Sequence, residues 1–158
     1  MERSQLLGMF MSFLDKEEGC SWNMEDEDFG GIDFQWKGTT TWYNIDTDDD
    51  TLENPTLKLT DALYDEDDED LNPVDKMDLA SKASSIIEKE FKSDSAFRNQ
   101  PERDEVYALV DEPNVIFYIA FDPDKFAVLD HSNFKEQVNR LLEKLETACK
   151  KFQKVNAQ

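Results

Sequence analysis

The most conspicuous chemistry in the chain lies in its carboxylates. Asp46-Thr47-Asp48-Asp49-Asp50 offers oxygen ligands at a spacing close to the opening of a calcium-binding loop. The frame fails where such loops are strictest. Thr51 stands where a glycine should make the turn, and Leu57 where a glutamate should supply two ligands. An acidic connection between strands describes the stretch better. Asp65-Glu66-Asp67-Asp68-Glu69-Asp70 is a run of six like charges that repel one another, so a mobile loop is expected at about 65–72.

Catalysis by a nucleophile or a general base needs both partners within hydrogen-bond reach. His131 is the single histidine and stands at the start of the last expected helix, where a capping or surface role fits it. Cys20 and Cys149 form no C-x-x-C pair, and Cys149 falls on a helix face patterned for burial. Gly30-Gly31 is too short to cradle a phosphate and leads into a strand, not a helix. No enzyme, metal, cofactor or small-molecule substrate is expected on these grounds.

The overall charge reads first as a solvated acidic surface, with DNA mimicry or capture of a basic protein as the functional alternatives. Thirty-seven acidic residues against 17 basic ones leave a net charge of −20. Such a surface repels nucleic acid and anionic lipid; it attracts basic partners or keeps the protein soluble and apart. At 158 residues, 39% hydrophobic and 11% aromatic, the chain is expected to build one domain around a real core. The first 14 residues are apolar enough to suggest a signal peptide. They lack a net-positive beginning and a small-residue cleavage site, and Asp15-Lys16-Glu17-Glu18 follows. Asn54-Pro55-Thr56 is no glycosylation sequon because proline occupies its centre. No apolar run reaches the roughly 20 residues of a membrane span. The expectation is a reduced, cytoplasmic protein.

The elements that position everything else centre on the last third of the chain. Val106 to Val110 and Val115 to Phe121 are β-branched and aromatic runs separated by Asp111-Glu112-Pro113-Asn114, which predicts a hairpin. With those four residues as the loop, Val110 faces Val115, Ala108 faces Phe117 and Val106 faces Ile119. The opposite face still carries Tyr107, Leu109, Ile116 and Tyr118, so both faces need cover. One cover is the last helix, whose Phe134, Val138, Leu141, Leu145, Ala148, Phe152 and Val155 recur at alternating spacings of four and three. Leu142 and Cys149 widen that stripe beyond a coiled-coil seam, which suits a helix lying on a sheet. Asp130 and Ser132 are its candidate caps.

Upstream, Ser4 and Gly19 bracket a first helix with Leu6, Phe10, Phe13 and Leu14 on one side. Trp22 and Met24 belong to an irregular or edge segment. Ile32, Phe34 and Trp36 alternate with Asp33, Gln35 and Lys37, and Lys37-Gly38 is expected to turn the chain, pairing Phe34 with Thr41 and Ile32 with Tyr43. Trp42 then lands on the outer face. Thr56 to Thr60 supplies a third strand, and Asp75 opens a second helix striped by Leu79, Ala80, Ala83, Ile86, Ile87 and Phe91. The predicted fold is α+β: helix, three antiparallel strands, helix, two antiparallel strands, helix, with the helices packed on a five-stranded sheet.

That order, with Ile32-Asp33-Phe34-Gln35-Trp36-Lys37-Gly38 running into Trp42-Tyr43-Asn44-Ile45-Asp46 and Val115-Ile116-Phe117-Tyr118-Ile119-Ala120-Phe121 running into Phe134 to Phe152, resembles the YbjN-like and type III secretion chaperone-like family. The resemblance implies a small, acidic, non-enzymatic bacterial protein of the cytoplasm that often dimerises and holds a segment of another protein on apolar patches. The acidic run at 65–70 and the polar connector at 93–103 depart from that pattern. The binding or dimer surface expected here is Trp42 together with Tyr107, Leu109, Ile116 and Tyr118, and its occupant a protein client or a second copy. An acidic inhibitor or immunity-type protein that caps a basic surface, for example of a nuclease, is the alternative.

Overall fold

The computed structural model describes residues 3–24, 31–37, 41–46, 56–63, 71–91, 106–120 and 130–156. Among them are three helices and a sheet of six strands. In chain order these are α1 (Arg3–Lys16), β1 (Ser21–Met24), β2 (Gly31–Gln35), β3 (Trp42–Asp46), β4 (Thr56–Ala62), α2 (Pro73–Phe91), β5 (Val106–Asp111), β6 (Asn114–Ala120) and α3 (His131–Asn156). The strands lie in the order β1-β2-β3-β4-β6-β5, and every neighbouring pair is antiparallel. The class is α+β as expected, but the sheet has six strands instead of five. The additional strand is β1, the segment read as irregular or edge. Its four residues alternate, yet so short a run before Glu25-Asp26-Glu27-Asp28 gives little periodic signal.

Each helix begins or ends where local chemistry dictates. Gly19, at φ 85°, takes a left-handed turn that only glycine adopts at no steric cost, and the chain swings into β1. Trp22 Nε1 donates to Asp15 Oδ1 at 2.8 Å and ties that strand back to α1. α2 begins two residues before the expected Asp75. Asn72 caps it: its Oδ1 accepts from the Asp75 amide at 2.9 Å, and its Nδ2 donates to Asp75 Oδ2 at 2.9 Å. Pro73, whose missing N–H costs nothing there, fills the first helical position. Asp130 caps α3 by accepting from the Asn133 amide at 2.8 Å.

The second hairpin has the expected register, Val110 with Val115, Ala108 with Phe117 and Val106 with Ile119. Asp111 and Asn114 also pair, so the loop shrinks to Glu112-Pro113. The first hairpin differs from expectation by two residues: Phe34 pairs with Tyr43, not Thr41, and Ile32 with Ile45, not Tyr43. The connection is therefore longer than Lys37-Gly38. Because the slip is an even number of residues, the paired side chains of β2 and β3 keep their predicted faces.

Inward-facing Ile32, Phe34, Tyr43, Ile45, Leu57, Leu59, Phe117 and Ile119 are all 2% exposed or less. The helices seal this face. Phe152 of α3 meets Phe117 edge-on at 6.0 Å, Phe134 meets Phe10 and Phe13 of α1 edge-on at 5.0 Å, and Phe13 stacks on Trp36. Trp36 Nε1 donates to Asn139 Oδ1 at 3.1 Å. The α3 stripe closes at Phe152; Val155, placed on it by periodicity, is 44% exposed.

Candidate functional site

Alternation along the strands puts the remaining side chains on the outer face. Register aligns six of them in one row across the whole sheet: Asn23, Asp33, Asn44, Lys58, Tyr118 and Tyr107. The row is polar at the β1 end and aromatic at the β5 end. Asn44 Nδ2 donates to Asp33 Oδ1 at 2.7 Å. The Lys58 ammonium lies 5.1 Å above the Tyr118 ring, and Tyr118 stacks on Tyr107 at 4.7 Å with 9° between the planes. Close cross-strand neighbours of this kind set the local order of a sheet face.

One row away, Gln35 stands opposite Trp42, and Ile116 stands opposite both Thr60 and Leu109. Tyr107, Leu109, Ile116 and Tyr118 thus form one patch on β5 and β6. Trp42 sits on β3, separated from that patch by β4. Tyr118 is buried at 9% exposure, Tyr107, Leu109 and Ile116 are half-buried, and Trp42 is 43% exposed. Sequence reasoning named the aromatic and aliphatic members of this face and set Asn44 beside Trp42 on it, but did not name Asp33 and Lys58 as parts of it. The signal for them was the same alternation; what was missing was which strands neighbour which.

The helices meet the strands through inward residues, among them Trp22, Trp36 and Phe117, and through the edge of β5. At that edge the Ser84 hydroxyl of α2 donates to Ala108 O at 2.8 Å and accepts from Ala108 N at 3.1 Å. A helix therefore occupies the backbone groups that an added strand would need there.

Among the described residues the other candidate chemistry does not converge. Asp46 is the last residue of β3, and Asp48 to Asp50, the acidic run at 65–70, the connector at 93–103 and Gly30 lie outside the described residues. His131 is the first residue of α3. Cys20 and Cys149 are both free thiols; Cys20 Sγ accepts the Lys37 amide at 3.4 Å. Burial pushes the Cys149 thiol from its ordinary 9.0 up to about 12, and the neighbouring Asp61 carboxylate adds to the effect. Burial likewise raises the Tyr43 hydroxyl, with Glu146 contributing. Both groups are held protonated, unsuited to act as nucleophile or base near neutral pH. Among the described residues no group of three or more histidine, cysteine or acidic side chains is placed to hold a metal ion, and no helix is long and apolar enough to cross a membrane. Comparison with protein-family models, curated proteins and solved structures returns no match.

Proposed function

We propose that this chain is a non-enzymatic, cytoplasmic protein-binding module, and that the outer face of its sheet holds a protein client or a second copy. The observation that carries this reading is Trp42, an indole 43% exposed on a face that also bears Tyr107, Leu109 and Ile116. Tryptophan and tyrosine are the side chains most enriched where proteins bury surface against one another. The net charge of −20 keeps such a face soluble until it is occupied. The resemblance to YbjN-like and secretion chaperone-like proteins supports the same reading, and with it a homodimer. Its non-enzymatic part rests on the sequence, in which no nucleophile–base pair, metal set or phosphate loop assembles.

Light scattering after size exclusion, at low and high salt, tests it on the wild type and on Ile116→Asp. A salt-resistant dimer that the substitution dissociates supports self-association through this face. A monomer at both salts assigns the face to a client, which a pull-down with the wild type recovers and with Ile116→Asp does not. Identical behaviour of the two proteins in both assays would sink the reading.

A further inference from the structure

We propose that Trp42 and Asp33 form a receptor for an arginine side chain carried by a basic segment of a partner protein. This deepens the protein-binding reading and rests on it. Because Gln35 stands opposite Trp42 and Asp33 opposite Asn44, Asp33 and Trp42 are diagonal neighbours on the outer face. That relation places them about 7–8 Å apart, within reach of one long side chain. The indole offers the aromatic surface that attracts cations best. Asn44 orients the carboxylate by donating to Asp33 Oδ1 at 2.7 Å. A carboxylate has about four acceptor sites, so Asp33 keeps capacity for an incoming donor.

A guanidinium satisfies both groups at once, stacking by its flat face and donating from its edge. An ammonium is a point charge and engages one or the other. The molecule uses the cation-over-ring half of this arrangement itself, with Lys58 above Tyr118 at 5.1 Å and Lys37 above Trp36 at 5.2 Å. Ser21 Oγ donates to Gln35 Oε1 at 3.4 Å, engaging that side chain from the β1 side. The occupant is basic rather than a second copy because of charge. A dimer would bring a second −20 body onto this face, whereas a basic segment is attracted to it from a distance.

The test is isothermal titration of the full chain with a short peptide carrying spaced arginines, and with the same peptide carrying lysines. Trp42→Ala is the informative variant because it leaves the charge at −20, so any loss it causes is not Coulombic. Arginine is expected to bind several-fold tighter than lysine. Trp42→Ala and Asp33→Asn should each weaken the arginine peptide about tenfold, with Trp42→Phe retaining part of the affinity. Thermal unfolding of each variant shows that the fold is kept. Equal affinity for both peptides, or no effect of Trp42→Ala, overturns the proposal and leaves attraction by net charge alone. Conversion of a dimer to a monomer by Trp42→Ala also overturns it, assigning the face to a second copy while the protein-binding reading stands. Both fall if Trp42→Ala changes neither peptide binding nor oligomeric state and Ile116→Asp changes nothing either.

Discussion

The two faces of the sheet are built from the same strands with the same alternation, and they do different work. Ile32, Phe34, Tyr43 and Ile45 point inward and are 2% exposed or less. Asp33, Gln35 and Trp42, their neighbours in sequence, point outward into hydrogen bonds, a cation–ring contact nearby and an exposed indole. The inner face is held by burial, so its order depends on helices that come from distant parts of the chain. The outer face is held by row-wise contacts between adjacent strands and keeps surface for something else. If the outer face binds as proposed, stability and binding are separated by a single step along each strand, and the two should respond differently to substitution.

The largest difference should appear between Phe117 and Trp42. Phe117 is 0% exposed and packs edge-on against Phe152, so Phe117→Ala leaves a cavity under α3 and should cost about 3–5 kcal/mol in urea unfolding. Trp42→Ala, on the other face of the same sheet, should change stability by no more than about 0.5 kcal/mol. Comparable losses would mean that the outer face is also structural and would break the distinction.

Alkaline pH probes two buried acids of the inner side. Tyr43 and Cys149 are both acids whose folded pKa is raised by burial, Cys149 from 9.0 to about 12. Between those values the folded state holds the thiol proton that the unfolded chain releases. The stability this represents is intact below about pH 9 and is lost as pH rises toward 12, at up to about 1.4 kcal/mol per pH unit for each group. Urea midpoints should fall over this window, and Cys149→Ala should make the fall shallower. An unchanged slope in that variant would show that the thiol is not sealed between α3 and the sheet.

A smaller effect belongs to the edge. Ser84→Ala removes both partners from the Ala108 backbone and should cost about 1–3 kcal/mol. It should also raise amide hydrogen exchange at Ala108 relative to Phe117. Unchanged exchange there would place the protection of β5 elsewhere.

Much of this division was legible without coordinates. The stripe from Phe134 to Phe152 has helical period and lies under a cap at Asp130, and the second hairpin has both its turn and its alternation in view, so its register came out as predicted. Trp42 also came out on its predicted face although the expected register was two residues off, because an even slip preserves parity. Two things were hidden for physical reasons. β1 is four residues long and flanked by acids, too short for periodicity to rise above the background. Lys37-Gly38 has the chemistry of a tight turn, and nothing local signals that the ladder resumes two residues later. The candidate site suffered from a different limit. Lys58 meets Tyr118 because β4 lies beside β6, a pairing between segments far apart in sequence that no local pattern encodes.

That non-local contact offers the finest test of whether the outer face has cohesion of its own. If the Lys58 ammonium is held by the Tyr118 ring, Lys58→Met and Tyr118→Leu should be less costly together than the sum of their separate costs. The coupling in a double-mutant cycle should be about 0.5–1 kcal/mol, the scale of a cation–ring contact that is not fully desolvated. Raising the salt concentration should shrink it only slightly, since the partner is a ring quadrupole and the contact is short range. A coupling of zero would show that Lys58 and Tyr118 share a face without ordering one another, leaving the Asn44–Asp33 hydrogen bond and the Tyr107–Tyr118 stack as the ordering contacts of the row. The β5–β6 end of the face would then be ordered by ring stacking alone, and the β2–β3 end by the orientation that Asn44 imposes on Asp33.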